Sequence, residues 1–422
     1  MKVPNAFTST TRRSNITWLV AGVVAVLVMA WFATYQIPRG NWFFTGHYAC
    51  QFCDIKSRIG DVWNVREGRV LYTFYPHKQY FTYPPAALFF FYPLTWVPKM
   101  LAIYLWSALS IASYGGLIAT AWFWLRRELS GRTVGISFLV AVAAVTFLPT
   151  MSILLSQGQT ASILALMVAA DVLLVRGRGR GALTGIAAAV KIYPIFFVGF
   201  WIVRREWRPA FTALVSGAMT TLLAWAIWPQ HSFRFFFERL SSGKEISHFH
   251  DNIHWRSSSA SPYSFFYRPP FHGGALGSTL GMVGVAAVAV LGMFAAVRLH
   301  RNGYRLTSFV VALMGSTLAA PVVWDHYFAW AVLLPLVVYE VGWRRPLGLA
   351  ALSAFIALLV PWGLARDENF SYVGFDATTV LLFFARNALL FTTLSVMVLS
   401  WSLPAQGGSV SDREKLQDGQ GS

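Results

Sequence analysis

Apolar runs of about 20 residues alternate with short polar segments along most of the chain, and a helix of that length crosses the hydrocarbon core of a bilayer. The pattern predicts an all-α polytopic membrane protein with about 11–12 transmembrane or re-entrant helices and short interfacial helices in its loops. The predicted spans are residues 16–36, 101–125, 133–151, 161–175, 181–203, 209–228, 275–297, 307–323, 327–343, 347–364 and 378–401.

Arginine clusters lie between these spans and orient them. All of the clusters fall on the cytoplasmic side under one orientation, as the positive-inside rule requires. The segment 181–203 has a cluster at each end, so one straight span would place one of them outside. We therefore predict a hairpin that is broken around the "KIYP" stretch, where a proline interrupts the helix.

This orientation divides the chain into a cytoplasmic tail at 1–15, a transmembrane catalytic domain at 16–401 and a disordered cytoplasmic tail at 402–422. The outer loops are then 38–100, 229–274 and 365–377, and the turns at 156–160 and 324–326 lie on the same face. The first span has no small-residue cleavage site after it, so we expect it to remain as an anchor. We predict a multi-pass protein of the plasma (inner) membrane whose site faces the periplasm.

Composition agrees with a membrane location. Hydrophobic residues make up 56% and charged residues 12% of the chain, against about 25% charged residues in soluble domains. The formal charge of +17 raises the possibility of nucleic-acid binding. The basic residues lie in short clusters between apolar runs, so membrane orientation explains them and we predict no nucleic-acid partner.

The first outer loop contains Asp54 and Asp61 in a stretch with apolar residues at helical spacing. This spacing predicts an amphipathic helix over 54–68 that lies on the membrane. Asp54 is at its start, where a carboxylate can cap the helix, so a capping role without any catalytic role is open. The aromatic run after "FTYPP" is too short to span, so we expect an interfacial or re-entrant helix there. Cys50 and Cys53 form a C-x-x-C for which a local disulfide and two free thiols are both open.

The second outer loop contains "HFHDNIHWR" and a serine-rich stretch between Arg256 and Arg268. His250 and His254 would share a helix face and could bind a metal, but histidine-rich polar loops are often simply solvated, and we predict no metal site. The serine-rich stretch is interpreted as a mobile lid.

Three features lie within or at the end of apolar spans. Lys191 interrupts an apolar helix, which is costly unless it faces a partner or a wet cavity. Asp325 and His326 lie at the outward end of a span, in "WDHY". Asp171 is one turn from Arg176, and we expect a structural ion pair between them.

An outward-facing membrane cavity with a carboxylate, a histidine and several cations suits sugar transfer from a lipid-linked phosphate. The carboxylate accepts the proton of the acceptor hydroxyl, and the cations stabilise the departing phosphate. A single displacement needs one base instead of the two carboxylates of a glycosidase.

Five stretches occur in an order that resembles one enzyme family. They are Asp54 with "GRVLY" fourteen residues later, "FTYPPAALFFFYPL", "SQGQ", "AAAVKIYP" and "APVVWDHYFAWAVLLPL". In these motifs the sequence is similar to the polyprenol-phosphate-mannose-dependent mannosyltransferases of glycosyltransferase family 87, a branch of the GT-C membrane fold.

The resemblance implies inverting transfer of mannose from polyprenyl-phosphate-mannose to a membrane glycolipid such as a phosphatidylinositol mannoside, within the lipid bilayer and without a cofactor. It places the catalytic base at Asp54 and an assisting polar role at His326. The predicted substrate-binding residues are Arg58, Tyr83, Gln159, Lys191, Tyr193, Trp255, Arg256, Arg268, Trp324 and Asp325.

Some family positions differ here. The chain has "GQTAS" and "ASPYSFFYR" where an asparagine and an Asn-Gln-Ser are common. If these groups contact the acceptor, the acceptor is expected to differ from the best-known phosphatidylinositol mannosides, whereas the residues expected to act on the donor are unaffected. An arabinosyltransferase that uses a polyprenyl-phosphate pentose, a lipid-phosphate transporter or flippase, and a non-enzymatic scaffold stay open as alternatives.

Overall fold

The computed structural model describes residues 9–36, 53–72, 81–240, 260–267, 274–358 and 387–406, and it contains helices and no strand within these ranges. The α-helices are α1 Ser9–Gln36, α2 Cys53–Arg66, α3 Leu88–Phe91, α4 Lys99–Arg126, α5 Gly131–Phe147, α6 Pro149–Gln157, α7 Ala161–Ala169, α8 Ala182–Val190, α9 Phe196–Val203, α10 Trp207–Ile227, α11 Pro229–Phe233, α12 Pro262–Tyr267, α13 Gly274–Arg301, α14 Arg305–Leu318, α15 Leu334–Val341, α16 Pro346–Ala357 and α17 Ala388–Leu399. Short 3₁₀ and π-helical turns extend or join several of them.

Four of the described helices are long and apolar enough to cross a membrane: Ser14–Thr34 within α1, α4, α10 and α13. Shorter apolar helices accompany them, at Gly131–Phe147, Ala161–Leu174, Tyr193–Val203, Arg305–Leu318, Tyr327–Val341, Pro346–Ala357 and Ala388–Ser402. On α10, Phe211, Met219 and Leu222 are more than 60% exposed, as apolar side chains are when lipid surrounds a helix. The prediction of an all-α polytopic membrane protein is confirmed.

The prediction that residues 133–151 form one continuous helix is wrong. Residues 133–151 are divided because α5 ends at Phe147, Leu148 is extended with ψ 111°, and Pro149 begins α6. Proline has no amide hydrogen to donate to the preceding turn, so it begins a helix more readily than it continues one.

The hairpin around the "KIYP" stretch is confirmed. A Cβ on Gly181 would lie 2.2 Å from the carbonyl oxygen of Pro209, and one on Gly185 would lie 2.1 Å from that of Ala213. Helix α8 therefore runs beside the beginning of α10 in the same direction. Because α9 leads directly into α10, both ends of the hairpin lie at the same end of the bundle.

Asp171 stabilises the start of this hairpin, and the expected ion pair with Arg176 is replaced by a cap. The carboxylate is fully buried and accepts hydrogen bonds from the backbone N–H groups of Gly181, at 2.7 Å, and Thr184, at 2.8 Å. It thereby satisfies N–H groups in the first turn of α8, which have no partner within the helix.

Helix α2 forms where the first outer loop predicts a helix, although the environment of its apolar face differs from the prediction. Its apolar side chains Ile55, Ile59 and Val62 are at most 1% exposed and belong to the main hydrophobic core. Its apolar face therefore packs on protein instead of lipid, because α3, α4 and α6 cover it, and its position at the membrane surface stays a prediction. The aromatic run after "FTYPP" forms short helical turns at Pro85–Ala87, Leu88–Phe91 and Tyr92–Trp96. The helical part of the prediction is confirmed, and the interfacial or re-entrant placement stays a prediction.

Candidate active site

A buried hydrogen bond joins two of the predicted site motifs. The hydroxyl of Tyr83, in "FTYPP", donates to Oε1 of Gln159, in "SQGQ", at 2.8 Å, and both side chains are at most 5% exposed. The hydroxyl of Thr160 lies 3.4 Å from the same Tyr83 oxygen. Two segments that are distant in sequence are thereby fixed beside each other.

Lys191 lies at the tip of the hairpin, where α8 has ended and its own backbone is extended with φ −151°. Its ammonium nitrogen Nζ is 3.9 Å from the ring centre of Tyr327, 5.4 Å from that of Tyr83 and 5.9 Å from that of Tyr193. Tyr193 and Tyr327 also stack on each other at 5.8 Å. Aromatic faces stabilise a cation and leave its formal charge in place, so this cluster can still attract an anion.

A second cation, Arg58 of α2, approaches the same tyrosine. Its guanidinium carbon Cζ lies 5.7 Å from the ring centre of Tyr83 and 5.6 Å from that of Phe81, and the residue is 4% exposed. Its Nη1 is 3.3 Å from Oδ2 of Asp61, one turn later on the helix. Arg58 is thus held in place by a carboxylate and two rings.

The first turn of α2 lies against the "SQGQ" turn. Gly158 has φ +74°, and a Cβ there would lie only 2.4 Å from Cβ of Ile55. The indole of Trp106 donates to the carbonyl oxygen of Gly158 at 2.9 Å. The backbone of Asp54, the residue before Ile55, is therefore close to the turn that contains Gln159.

The sequence did not predict the hydrogen bonds that hold the backbone of Tyr83 and of nearby segments. The hydroxyl of Tyr72 donates to the carbonyl oxygen of Tyr83 at 2.8 Å, and Arg239 donates to that of Phe81 at 2.9 Å. Nδ1 of His231 accepts the backbone N–H of Leu71 at 3.2 Å. Tyr72 belongs to the quoted "GRVLY" motif, which was the available signal; for Arg239 and His231 the sequence carried none.

The described part of the serine-rich stretch is packed and hydrogen-bonded, so the lid interpretation is wrong for it. Ala260, Ser261 and Ser264 are at most 3% exposed. The N–H of Ala260 donates to the carbonyl oxygen of Val323 at 2.8 Å, and the Ser261 hydroxyl donates to that of Pro321. These bonds anchor the segment that leads into the "WDHY" motif.

Several predicted site residues come together in one cluster, namely Arg58, Tyr83, Gln159, Lys191 and Tyr193. The sequence did not predict Tyr327 as a site residue, yet its ring is the one nearest to Lys191 in this cluster. The backbone N–H of Tyr327 donates to the carbonyl oxygen of Trp324 at 2.9 Å. Asp54, Asp325 and His326 are described at the level of their backbone, in α2 and in the 3₁₀ turn Asp325–Leu333. Trp255, Arg256, Arg268, the Cys50 side of the C-x-x-C and the histidine-rich stretch lie outside the described residues.

The cluster lies at the end of the bundle where α4 begins and α10 ends. Trp106 is in the early part of α4, and Ala189 near the hairpin tip packs with Ala86 and with Ala224 near the end of α10. Cations, tyrosine rings and a side-chain amide in one partly buried place can bind a phosphate and the polar face of a sugar.

These features define an integral membrane protein whose polar site is built among apolar helices. The chain belongs to glycosyltransferase family 87, whose model matches residues 81–324, more than half of its length. The match includes Tyr83, Gln159, Lys191 and Tyr193, begins after Asp54 and ends just before Asp325.

Characterised relatives resemble the chain over most of its length. A Mycobacterium tuberculosis protein named polyprenol-phosphate-mannose-dependent alpha-(1-2)-phosphatidylinositol mannoside mannosyltransferase is 26% identical over 293 residues, which cover 67% of each chain. A Mycolicibacterium smegmatis protein named as the corresponding phosphatidylinositol pentamannoside mannosyltransferase is 24% identical over 326 residues, 75% of this chain and 73% of its own. No solved structure matches the chain.

Proposed function

We propose that this protein is a mannosyltransferase that moves mannose from polyprenyl-phosphate-mannose to a membrane glycolipid on the periplasmic face. Both relatives described above carry polyprenol-phosphate-mannose and a phosphatidylinositol mannoside in their names, which supports this donor and this class of acceptor. The arginine clusters between the spans support the periplasmic face for the opposite end of the bundle.

The observation that carries the proposal is the cation–tyrosine cluster at the tip of the hairpin. The ammonium of Lys191 lies among three tyrosine rings, and one of them is hydrogen-bonded to Gln159. A cation in such a low-dielectric place is well suited to the negative charge that grows on the phosphate as the sugar leaves.

The proposed base is Asp54. It is in the first turn of α2, whose next residue, Ile55, packs on Gly158 beside Gln159. Deprotonation of the acceptor hydroxyl as it attacks the anomeric carbon forms the new glycosidic bond, while the bond to the phosphate oxygen breaks with its electron pair. One displacement on a β-linked donor inverts the centre, so the product is an α-mannoside.

The remaining proposed residues bind the donor and orient its sugar and phosphate. We assign Lys191 to the phosphate, and Tyr83, Tyr193 and Gln159 to the sugar and its phosphate oxygens. Arg58 is assigned a positioning role, because it is buried and held by Asp61. His326 is assigned an assisting polar role, and Trp324, Asp325, Trp255, Arg256 and Arg268 are proposed for the outer part of the site.

The test is a donor comparison with the purified full-length protein. Labelled polyprenyl-phosphate mannose and polyprenyl-phosphate arabinose are each incubated with a membrane lipid extract, and the labelled glycolipids are analysed. We expect label in a glycolipid from the mannose donor alone, and an α-linkage in the product. Transfer from the arabinose donor alone would identify a pentosyltransferase instead.

A matched reaction with the Asp54→Asn variant distinguishes transfer by this protein from transfer by a contaminant. Reconstituted liposomes address the transporter alternative, because a flippase would move the labelled donor across the bilayer without forming a product. Movement without product would overturn the proposal.

A further inference from the structure

A second polar cavity lies at the other end of the bundle from the cation–tyrosine cluster. Its volume is about 310 Å³, and the charged side chains that line it are Arg176, Arg180, Arg204, Arg305 and Glu206. Trp106 beside the candidate active site and Trp124 beside this cavity are five turns apart on α4, about 27 Å along its axis. The two sites are therefore separate.

Glu206 is the one carboxylate in the lining among the residues that the structure describes, and two of the arginines already share it. Glu206 Oε2 lies 3.0 Å from Nη1 of Arg180, and Oε1 accepts a hydrogen bond from Arg204, which also contacts Nε2 of His300. The described part of the lining thus contains four arginines and one carboxylate, which makes it strongly basic.

The positive charge of the cavity extends to a neighbouring group. The pKa of Arg127, just after the end of α4, is lowered by burial and by the charges of Arg176 and Arg305. Repulsion of this kind disfavours the folded arrangement unless an anion reduces it. A bound anion would therefore stabilise this end of the molecule.

The rest of the lining is mostly apolar, apart from His300 and Ser308. Trp124 of α4, Phe200 of α9 and Phe309 of α14 form walls around the arginines. Arginine clusters mark the cytoplasmic ends of the spans under the positive-inside rule, and basic pockets between helices on that side suit the head groups of anionic lipids. A phosphate group with an attached apolar chain would match both parts of the lining.

We propose that this cavity binds the phosphate group of an anionic ligand, through the guanidinium groups of Arg176, Arg180 and Arg305. Guanidinium groups donate two parallel hydrogen bonds to phosphate, which gives tight and oriented binding. The phosphate belongs to the head group of an anionic phospholipid in the adjacent leaflet or to a free phosphate ion. Either source would brace the base of the hairpin that carries Lys191, since Arg180 and Arg204 are at its two ends.

The test measures binding to the full-length protein in a neutral detergent. Native mass spectrometry and thermal unfolding are followed with dihexanoyl phosphatidylglycerol, dihexanoyl phosphatidylcholine and inorganic phosphate. The variants are Arg176→Gln and Arg305→Gln. The matched control is Arg178→Gln, because Arg178 is an exposed residue of the same loop that does not line the cavity.

We expect phosphatidylglycerol to raise Tm and to bind with a Kd that increases at least about tenfold in Arg176→Gln and Arg305→Gln, and hardly at all in the control. Protection by inorganic phosphate with the same dependence on the variants would also support the site and would identify the ligand as a free ion. Equal binding of phosphatidylcholine, equal affinities across all variants, or no protection by any ligand would overturn the proposal. Melting without ligand verifies that each variant is folded.

Discussion

Lys191 illustrates how a single residue can be both costly and useful. A cation among apolar helices is destabilising by a few kcal/mol, and a chain selected only for stability would place an apolar residue at the hairpin tip. Three tyrosine rings reduce this cost by cation–π attraction without removing the charge. The retained charge is what a phosphate-bearing donor requires.

Replacing Lys191 by methionine should therefore reduce transfer by at least about 100-fold, since a charge aimed at the leaving phosphate is lost. Lys191→Arg, which keeps a cation, should retain clearly more activity than Lys191→Met. The measurement is kcat and KM with labelled polyprenyl-phosphate mannose. Equal turnover of the methionine variant and the unmodified protein would show that the charge has no part in the reaction.

Asp54 and Asp61 lie on the same helix and provide a paired comparison. Asp54→Asn removes the proposed base and should lower turnover by roughly 100- to 10,000-fold, with little change in Tm. Asp61→Asn breaks the ion pair with Arg58 and should act mainly on stability. Turnover and thermal unfolding of both variants give the comparison, and near-normal turnover of Asp54→Asn would exclude it as the base.

His231 provides a pH-dependent contribution. Burial, together with the charge of Arg234, lowers its pKa from the ordinary value of 6.5, and its Nδ1 accepts a hydrogen bond that protonation would remove. The neutral form is favoured in the folded protein, so the stabilisation is complete above the ordinary pKa and is lost as the pH falls.

Between about pH 7.5 and about pH 5, Tm should therefore fall more for the unmodified protein than for His231→Gln, which does not titrate. The difference should correspond to about one hydrogen bond, roughly 1 kcal/mol. Parallel Tm curves for the two proteins over this range would contradict the role given to His231.

At the scale of elements, the decisive contact is between the first turn of α2 and the "SQGQ" turn. Gly158 has a positive φ and no side chain, and both properties are required for Ile55 to approach it. This contact holds the segment of Asp54 against the segment of Gln159.

Gly158→Ala should destabilise the protein by roughly 2 to 4 kcal/mol, from backbone strain and from overlap with Ile55. Gly60→Ala is the matched control: Gly60 is exposed within α2 and a Cβ there meets nothing within 4 Å, so it should stabilise by up to about 1 kcal/mol. Thermal unfolding and transfer are measured on both. Similar effects of the two substitutions would mean that the contact is not tight.

The element boundaries were partly readable from the sequence. Helices α4, α10 and α13 agree with the predicted spans within a few residues, because hydropathy and flanking arginines are local signals. The break at Pro149 and the cap by Asp171 were missed, because they depend on backbone geometry and on residues ten or more positions apart.

At the scale of the whole molecule, the hairpin sets the relation between the two ends. Both of its termini lie beside the start of α10, which leaves the Lys191 tip pointing toward the other end of the bundle. The cation–tyrosine cluster therefore lies at the tip of the hairpin, and the arginine-lined cavity lies at its base.

Cysteine labelling in intact cells tests this topology in a background with Cys50→Ser and Cys53→Ser. Arg178→Cys and Arg208→Cys flank the hairpin at exposed positions, and Gln230→Cys follows α10 at its other end. We expect a membrane-impermeant maleimide to label Gln230→Cys directly, and the other two only after permeabilisation. Labelling of Arg178→Cys and Arg208→Cys from opposite sides would mean that segment 181–203 crosses the membrane once.

The sequence by itself determined that this protein is helical and lies in a membrane and that segment 181–203 turns back, and it predicts that the arginine clusters between the spans share one side. These properties follow from local hydropathy and from the cost of moving charge across a bilayer, and neither needs a contact between distant residues. Only the tertiary structure decided that the apolar face of α2 packs on protein instead of lipid and that Tyr83, Gln159, Lys191 and Tyr327 meet. It also decided that four arginines from three segments of the chain line one cavity. Those outcomes depend on long-range packing, in which a glycine without a side chain or a single buried hydrogen bond determines which segments become neighbours.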